Sequence, residues 1–208
     1  MEYKKFRIDE LFNVDTSNTY GSNLKDSEII DDEGTTPYVG NIITNNGISG
    51  YSRYEANNDG NAITLSDTVT SVYDTIYYQR EAFIGKSHVQ VLRPLEEENE
   101  EGEKEPLFVL NEKIALYIIT CMKKSVKTGE FDYGTKFNSD AIKETLISLP
   151  VKDKNDKLPD FEYMENYISE ITPKYFEVLD KQIELAKKKN EEFKSLLKPY
   201  VDMLVESN

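Results

Sequence analysis

From residue 176 to residue 204 a row of side chains, apolar at every position but one, recurs every three or four residues. Phe176, Leu179, Ile183 and Ala186 begin the row; Asn190, Phe193, Leu197, Tyr200 and Leu204 continue it. That is a heptad spacing, and as a helix it extends about 43 Å at 1.5 Å per residue. The other faces are mostly Lys and Glu, as in "KKKNEEFK". So narrow a seam cannot be buried by one helix alone, so it needs a second helix or the body of its own chain. Asn190 falls on the seam, where a polar residue sets register and strand number. Pro199 is expected to kink or loosen the last turn. Just upstream, "DFEYMENYISEI" puts Phe161, Met164, Ile168 and Ile171 on one helical face. "TPKYF" then predicts a fresh helix start, with Thr172 as cap and Pro173 in the first turn.

The preceding two thirds alternate strand and helix signals, so the expected class is α+β. "TPYVGNIITNNGISGYSRY" reads as a hairpin with Asn-Gly and Ser-Gly turns. "NAITLSDTVTSVYDTIYYQ" supplies two further strands, and "FIGKSHVQVLRPL" another that ends at Pro94. His88 alternates with apolar neighbours there and is expected on a strand. "NEKIALYIITCMKKSVKT" predicts a helix capped by Asn111 and stopped at Gly129. "SDAIKETLI" predicts a short second helix. Pro150 forces Leu149 into extended geometry, so "SLPV" is a strand. The chain of 208 residues thus fits one domain with an appendage: 1–158, then a helical arm over 159–208.

The formal charge of −14 is unevenly placed. Residues 1–33 carry nine acids against four bases, and residues 96–105 seven against one. The acidic run at 96–105 is expected as a solvated, mobile insertion. The blocks at 34–95 and 106–150 are close to neutral. One Cys excludes an internal disulfide, and Cys121 within "IALYIITCM" reads as a buried, inert thiol. One His removes most metal sites and the usual Ser-His or Cys-His pairs. No Walker loop, HExxH or nucleophile elbow occurs, so neither catalysis nor a metal or cofactor is expected. No run reaches the length of a membrane helix or a signal peptide, which predicts a cytoplasmic protein.

Three segments in order carry a family resemblance: "TPYVGNIITNNGISGY", "GNAITLSDTVTSVYDTIYYQREAFIGKSHVQVLRP" and "YGTKFNSDAIKETLISLPV". The chain resembles type I restriction–modification specificity subunits, and also the specificity chains that partner fused restriction–methylation enzymes. The resemblance implies a mixed-sheet target-recognition domain over 1–158 followed by a long coiled-coil helix. It implies double-stranded DNA as ligand and methyltransferase (modification) and restriction subunits as partners. Full-length members carry two recognition domains and two helices, whereas this chain has one of each. Two copies are therefore expected to pair their helices antiparallel and read two inverted half-sites.

On this reading the polar turns are the candidate contacts. Asn41, Thr44, Asn45 and Asn46 offer groups for adenine edges, and Arg53, Arg80 and Lys86 for guanine or phosphate. Ser49, Tyr51, Tyr54, Ser87 and His88 are weaker candidates. Tyr133, Thr135 and Lys136 flank Gly134 with groups suited to phosphate or sugar. Plain turn chemistry is the competing explanation for each. Two other functions stay open: an acidic inhibitor or decoy of restriction enzymes, and a carboxylate-dependent hydrolase needing two acids convergent within 34–95.

Overall fold

A computed structural model describes residues 1–21, 24–68, 72–99, 101–128 and 138–206. In chain order the elements are β1 (Glu2–Arg7), β2 (Phe12–Thr16), α1 (Asp26–Ile29), β3 (Thr36–Val39) and β4 (Ile48–Ser52). Then come β5 (Ala62–Ser66), β6 (Tyr77–Gln79), β7 (Ile84–Gly85), β8 (Val89–Pro94), β9 (Glu96–Glu98) and β10 (Lys104–Pro106). Helix α2 (Glu112–Thr128), α3 (Ser139–Glu144), β11 (Leu146–Val151) and α4 (Phe161–Glu206) complete the chain. The class is α+β, as expected. By contacts the chain divides into a unit of residues 1–165 and a unit of residues 166–208.

In the first unit a four-stranded antiparallel sheet runs β2-β8-β5-β6. A second sheet runs β4-β3-β7, antiparallel at β3–β4 and parallel at β3–β7. Val39, Ala62, Phe83, Val89 and Val91 are buried together, with Ile48 packed against them. This cluster draws side chains from both sheets, so it joins them. The residues are mostly β-branched, which suits a pleated surface buried on one face.

Helix α2 starts where Asn111 caps it: Ile114 N donates to Asn111 Oδ1 at 3.0 Å. Ile114, Ile118, Met122 and Val126 recur every fourth residue and are all buried, giving one apolar face. The helix packs on β6 and β11. α3 is capped in the same way by Asn138, whose Oδ1 accepts from Ala141 N at 2.9 Å. β11 is extended through Pro150, as that residue dictates, and pairs antiparallel with β1. Phe6, Ile147, Leu149 and Val151 bury one face of that pair.

Two sequence expectations need correction here, and the solvated run at 96–105 proves to be internally paired. The acidic run at 96–105 forms the ribbon β9–β10, closed by Gly102 at φ 79° and by Asn99 N to Glu103 O at 2.8 Å. Its strand residues are all exposed, as suits their mostly charged side chains, yet they are paired. His88 is not on a strand; it occupies a left-handed turn before β8, at φ 69°. No helix restarts at Thr172 and Pro173, because α4 continues through them. Thr172 Oγ1 donates back to Ile168 O at 2.6 Å, a bond that belongs to a helix interior rather than to a cap.

The true start of α4 is at Asp160, whose Oδ1 accepts from Tyr163 N at 3.0 Å. Phe161 stacks on Phe108 at 4.2 Å between ring centres, and Phe108 meets Phe12 edge-on at 5.5 Å. Met164 is fully buried. In the second unit, pairs Glu170–Lys174, Glu177–Lys181, Glu184–Lys187 and Glu191–Lys194 line the helix surface. Fully solvated i,i+3 and i,i+4 pairs of this kind give a helix only modest support. No helix among the described residues is long and apolar enough to cross a membrane.

Candidate nucleic-acid interface

The loop between β3 and β4 is closed at its base by Gly40 N to Gly47 O, 2.8 Å, and tightened by Gly47 N to Thr44 O, 2.9 Å. Asn45, Asn46 and Gly47 follow one another in the left-handed region, at φ 49°, 54° and 77°. Asn tolerates that region better than other side chains, and Gly adopts it freely. The amides then hold the loop. Asn41 Nδ2 donates to Ser87 O at 3.0 Å, Asn45 Nδ2 to Ile48 O at 2.9 Å, and Asn46 Nδ2 to Tyr78 O at 2.9 Å. Gln79 Nε2 returns a bond to Asn46 O at 3.0 Å. A bidentate adenine contact needs the amide oxygen and NH2 of one side chain together. Each Asn NH2 gives one N–H to a backbone carbonyl; Asn41 and Asn45 keep a second N–H, whereas Asn46 Nδ2 also reaches Gln79 Oε1 at 3.4 Å.

Beside this loop lies the β7–β8 turn, tied to it by Asn41 and by Lys86 N to Val39 O at 2.9 Å. Ser17 Oγ fixes its other side by donating to Lys86 O at 2.9 Å. The structure therefore brings Asn41, Lys86, Ser87 and His88 together. Every candidate cation described has an acidic neighbour. Lys86 Nζ is 2.5 Å from Asp26 Oδ2, and His88 Nδ1 is 3.1 Å from Asp67 Oδ1. Arg53 bridges Asp31, at 3.2 Å, and Glu33, while Arg80 pairs with Glu112. Exposed pairs of this kind are worth about 0.2–1 kcal/mol, so a phosphate can replace the carboxylate at little cost. Tyr54 packs its ring on Tyr20 at 5.2 Å.

The Lys86 ammonium, with help from the Tyr38 hydroxyl, holds the Asp26 carboxyl below its usual range. A carboxyl depressed in the folded state stabilises above its unfolded pKa, and that contribution disappears as pH falls through the folded value. Wild type is therefore expected to lose stability below about pH 4 at this site, and Asp26→Asn to lose that acid step. Thermal melts between pH 3 and 7 read the difference.

A cleft of about 490 Å³ adjoins the loop, lined among others by Asn46, Tyr51, Tyr77, Arg80, Glu112 and Lys123. Lys123 Nζ sits 5.3 Å above the Tyr77 ring. Cys121 is mostly buried, and burial pushes its thiol up, which keeps it protonated and unreactive. Among the described residues no group of three or more His, Cys, Asp or Glu is placed to hold a metal ion. Tyr133, Thr135 and Lys136 lie outside the described residues.

Most of the described seam side chains on α4 are exposed within their own unit. Phe176 is 55% exposed, Ile183 42% and Phe193 59%. Ala186 and Asn190 are exposed as well, and Leu179 is half-buried. The side chains of Leu197, Tyr200 and Leu204 are outside the described set. Tyr175, Val178, Leu185 and Leu196 add exposed apolar surface beside the seam, which the heptad reading did not include.

The family model for the type I restriction modification DNA specificity domain matches residues 1–195. The chain belongs to that family. Among curated proteins it is 27% identical, over 169 residues, to the type II restriction enzyme BgcI specificity subunit S.BcgI of Heyndrickxia coagulans. That match covers 81% of this chain and 43% of the relative. Among solved structures it resembles the type I restriction-modification system S subunit from M. genitalium, with a TM-score of 0.54 and 17% identity. Here 86% of this chain and 42% of the other are covered, so the likeness is one of fold. The chain spans less than half the length of these relatives. The matched family is thus a DNA specificity domain of type I restriction modification.

For a DNA specificity domain the distribution of charge matters more than its sum, because screening acts over about 8–10 Å at physiological salt. Residues 34–52, which span β3, the loop and β4, contain no Asp, Glu, Lys or Arg. The sequence reading noted near-neutrality over 34–95 but overlooked this uncharged core. It also overlooked Ile43, an apolar side chain left 54% exposed on the loop. The signal was present: a pair of isoleucines, Ile42 and Ile43, between Asn41 and Thr44 in an uncharged turn.

Proposed function

We propose that this chain supplies the DNA sequence specificity of a restriction–modification complex, with modification and cleavage left to partner subunits. Residues 1–158 are the recognition part and residues 159–208 the spacer and pairing arm. The observation that carries the reading is the family match over residues 1–195, which takes in both polar turns and most of the seam. Double-stranded DNA lies across the 40–47 loop and the β7–β8 turn. Thr44, Ser87 and His88 contact the duplex there, while Arg53, Arg80 and Lys86 exchange carboxylate for phosphate. Asn41, Asn45 and Asn46 frame the loop. Modification and restriction subunits are the protein partners.

Two copies pair antiparallel through the seam, and the twofold axis sets two recognition domains on inverted half-sites. Exposed Phe176, Ile183 and Phe193 favour this pairing, since an apolar row of that length needs a cover. An acidic decoy would instead present carboxylates across the loop face, and the uncharged 34–52 segment favours a reader.

A charge of −14 and locally paired cations predict weak DNA binding by the chain alone. Gel-shift titrations are expected to show binding restored by the modification subunit, with a large gain in affinity. Tight, non-specific binding by the isolated chain overturns the reading.

A further inference from the structure

The amides of the 40–47 loop brace its backbone, although Asn45 and Asn46 themselves stay exposed. Asn41, Asn45 and Asn46 each donate to a backbone carbonyl, and Gly40 and Gly47 clamp the base. What the loop leaves to solvent includes an apolar group: Ile43 is 54% exposed. The segment around it, residues 34–52, has no charged residue in a chain of net charge −14. A polyanion approaches this stretch with less repulsion than it meets at the acidic segments. The major-groove edge of DNA is polar except at the C5-methyl of thymine, which an apolar side chain can cover.

We infer that Ile43 is a specificity-determining contact that packs against a thymine methyl in the major groove and selects thymine at one position of the target. This rests on the DNA-reading function proposed above. The clamped loop presents the isoleucine in one place, so little ordering is required on binding. Since the side chain is largely solvated, shortening it leaves the fold intact.

The test uses the chain in complex with its modification subunit. Bound sequences are selected from a random duplex pool, and each thymine of the selected site is replaced singly by uracil, which removes only the methyl. Wild type is expected to lose about fourfold in affinity at one uracil position, the worth of one buried methyl group. Ile43→Ser is expected to bind the thymine and uracil duplexes equally, and Ile43→Val to retain most of the preference. The inference is overturned if wild type ignores uracil at every position, if the selected site has no thymine, or if Ile43→Ser still discriminates. A pool that yields no enriched sequence removes the DNA-reading function itself and this contact with it. An enriched site without a uracil effect removes only the contact.

Discussion

Ile183→Asp is expected to turn a dimer into a monomer. Ile183 lies near the middle of the seam and is 42% exposed in the isolated helix, so pairing has apolar surface to bury there. Each copy carries the substitution, so a dimer loses two such contacts. At roughly 2 kcal/mol for each lost isoleucine, the dissociation constant rises about a thousandfold. Two carboxylates left without partners in an apolar seam add to that cost. Sedimentation velocity at about 0.1 μM, roughly a hundredfold above a nanomolar Kd and about tenfold below the micromolar Kd expected of the variant, reads the difference. Wild type should sediment as a dimer and the variant as a monomer, with the near-UV signal of the recognition unit unchanged. Two monomeric species would mean that the seam is covered by something other than a second copy. Asn190 gives a second readout: Asn190→Leu is expected to tighten association while loosening the choice of register.

The elements legible in the sequence were those whose cause is local. β3 and β4 follow from β-branched residues around Asn-Gly, α2 from Asn111 and its four-residue apolar spacing, and β11 from Pro150. What stayed hidden depends on distant partners. β1 gains its strand by pairing with β11 across nearly the whole recognition unit, which no window of sequence displays. Thr172 and Pro173 imitate a helix start, but the helix is already running from Asp160. The acids of β9 and β10 look unstructured by composition, yet Asn99 and Gly102 supply the turn that pairs them.

The candidate site divides in the same way. Sequence reasoning found the loop, because Asn-Asn-Gly marks left-handed backbone. It did not find which way the amides face, because Ser87, Ile48 and Tyr78 supply the carbonyls from three separate places. Nor did it find that Lys86, Arg53 and Arg80 meet Asp26, Asp31 with Glu33, and Glu112 respectively. Only the fold brings those acids close.

Phe83→Ala is expected to damage stability and recognition together. Phe83 is fully buried in the cluster of Val39, Ala62, Val89 and Val91, with Ile48 against it. Its backbone is held by Asn58 in both directions, at 2.9 and 3.0 Å, so the chain cannot collapse easily into the void. Truncation at such a site costs about 3–5 kcal/mol, a large part of the roughly 5–15 kcal/mol that stabilises a domain. For a unit of this size that lowers Tm by roughly 6–20 °C. The functional consequence follows from what the ring supports. Val39 and Ile48 bracket the 40–47 loop, and Val89 follows the β7–β8 turn, so one ring braces both proposed DNA contacts. Weaker DNA binding by the partnered chain is therefore expected even at temperatures well below the lowered Tm. Phe83→Leu, which fills most of the space, should recover much of both losses. If Phe83→Ala melts early yet binds DNA as wild type does, the cluster stabilises the unit without positioning its loops, and the interface must lie elsewhere.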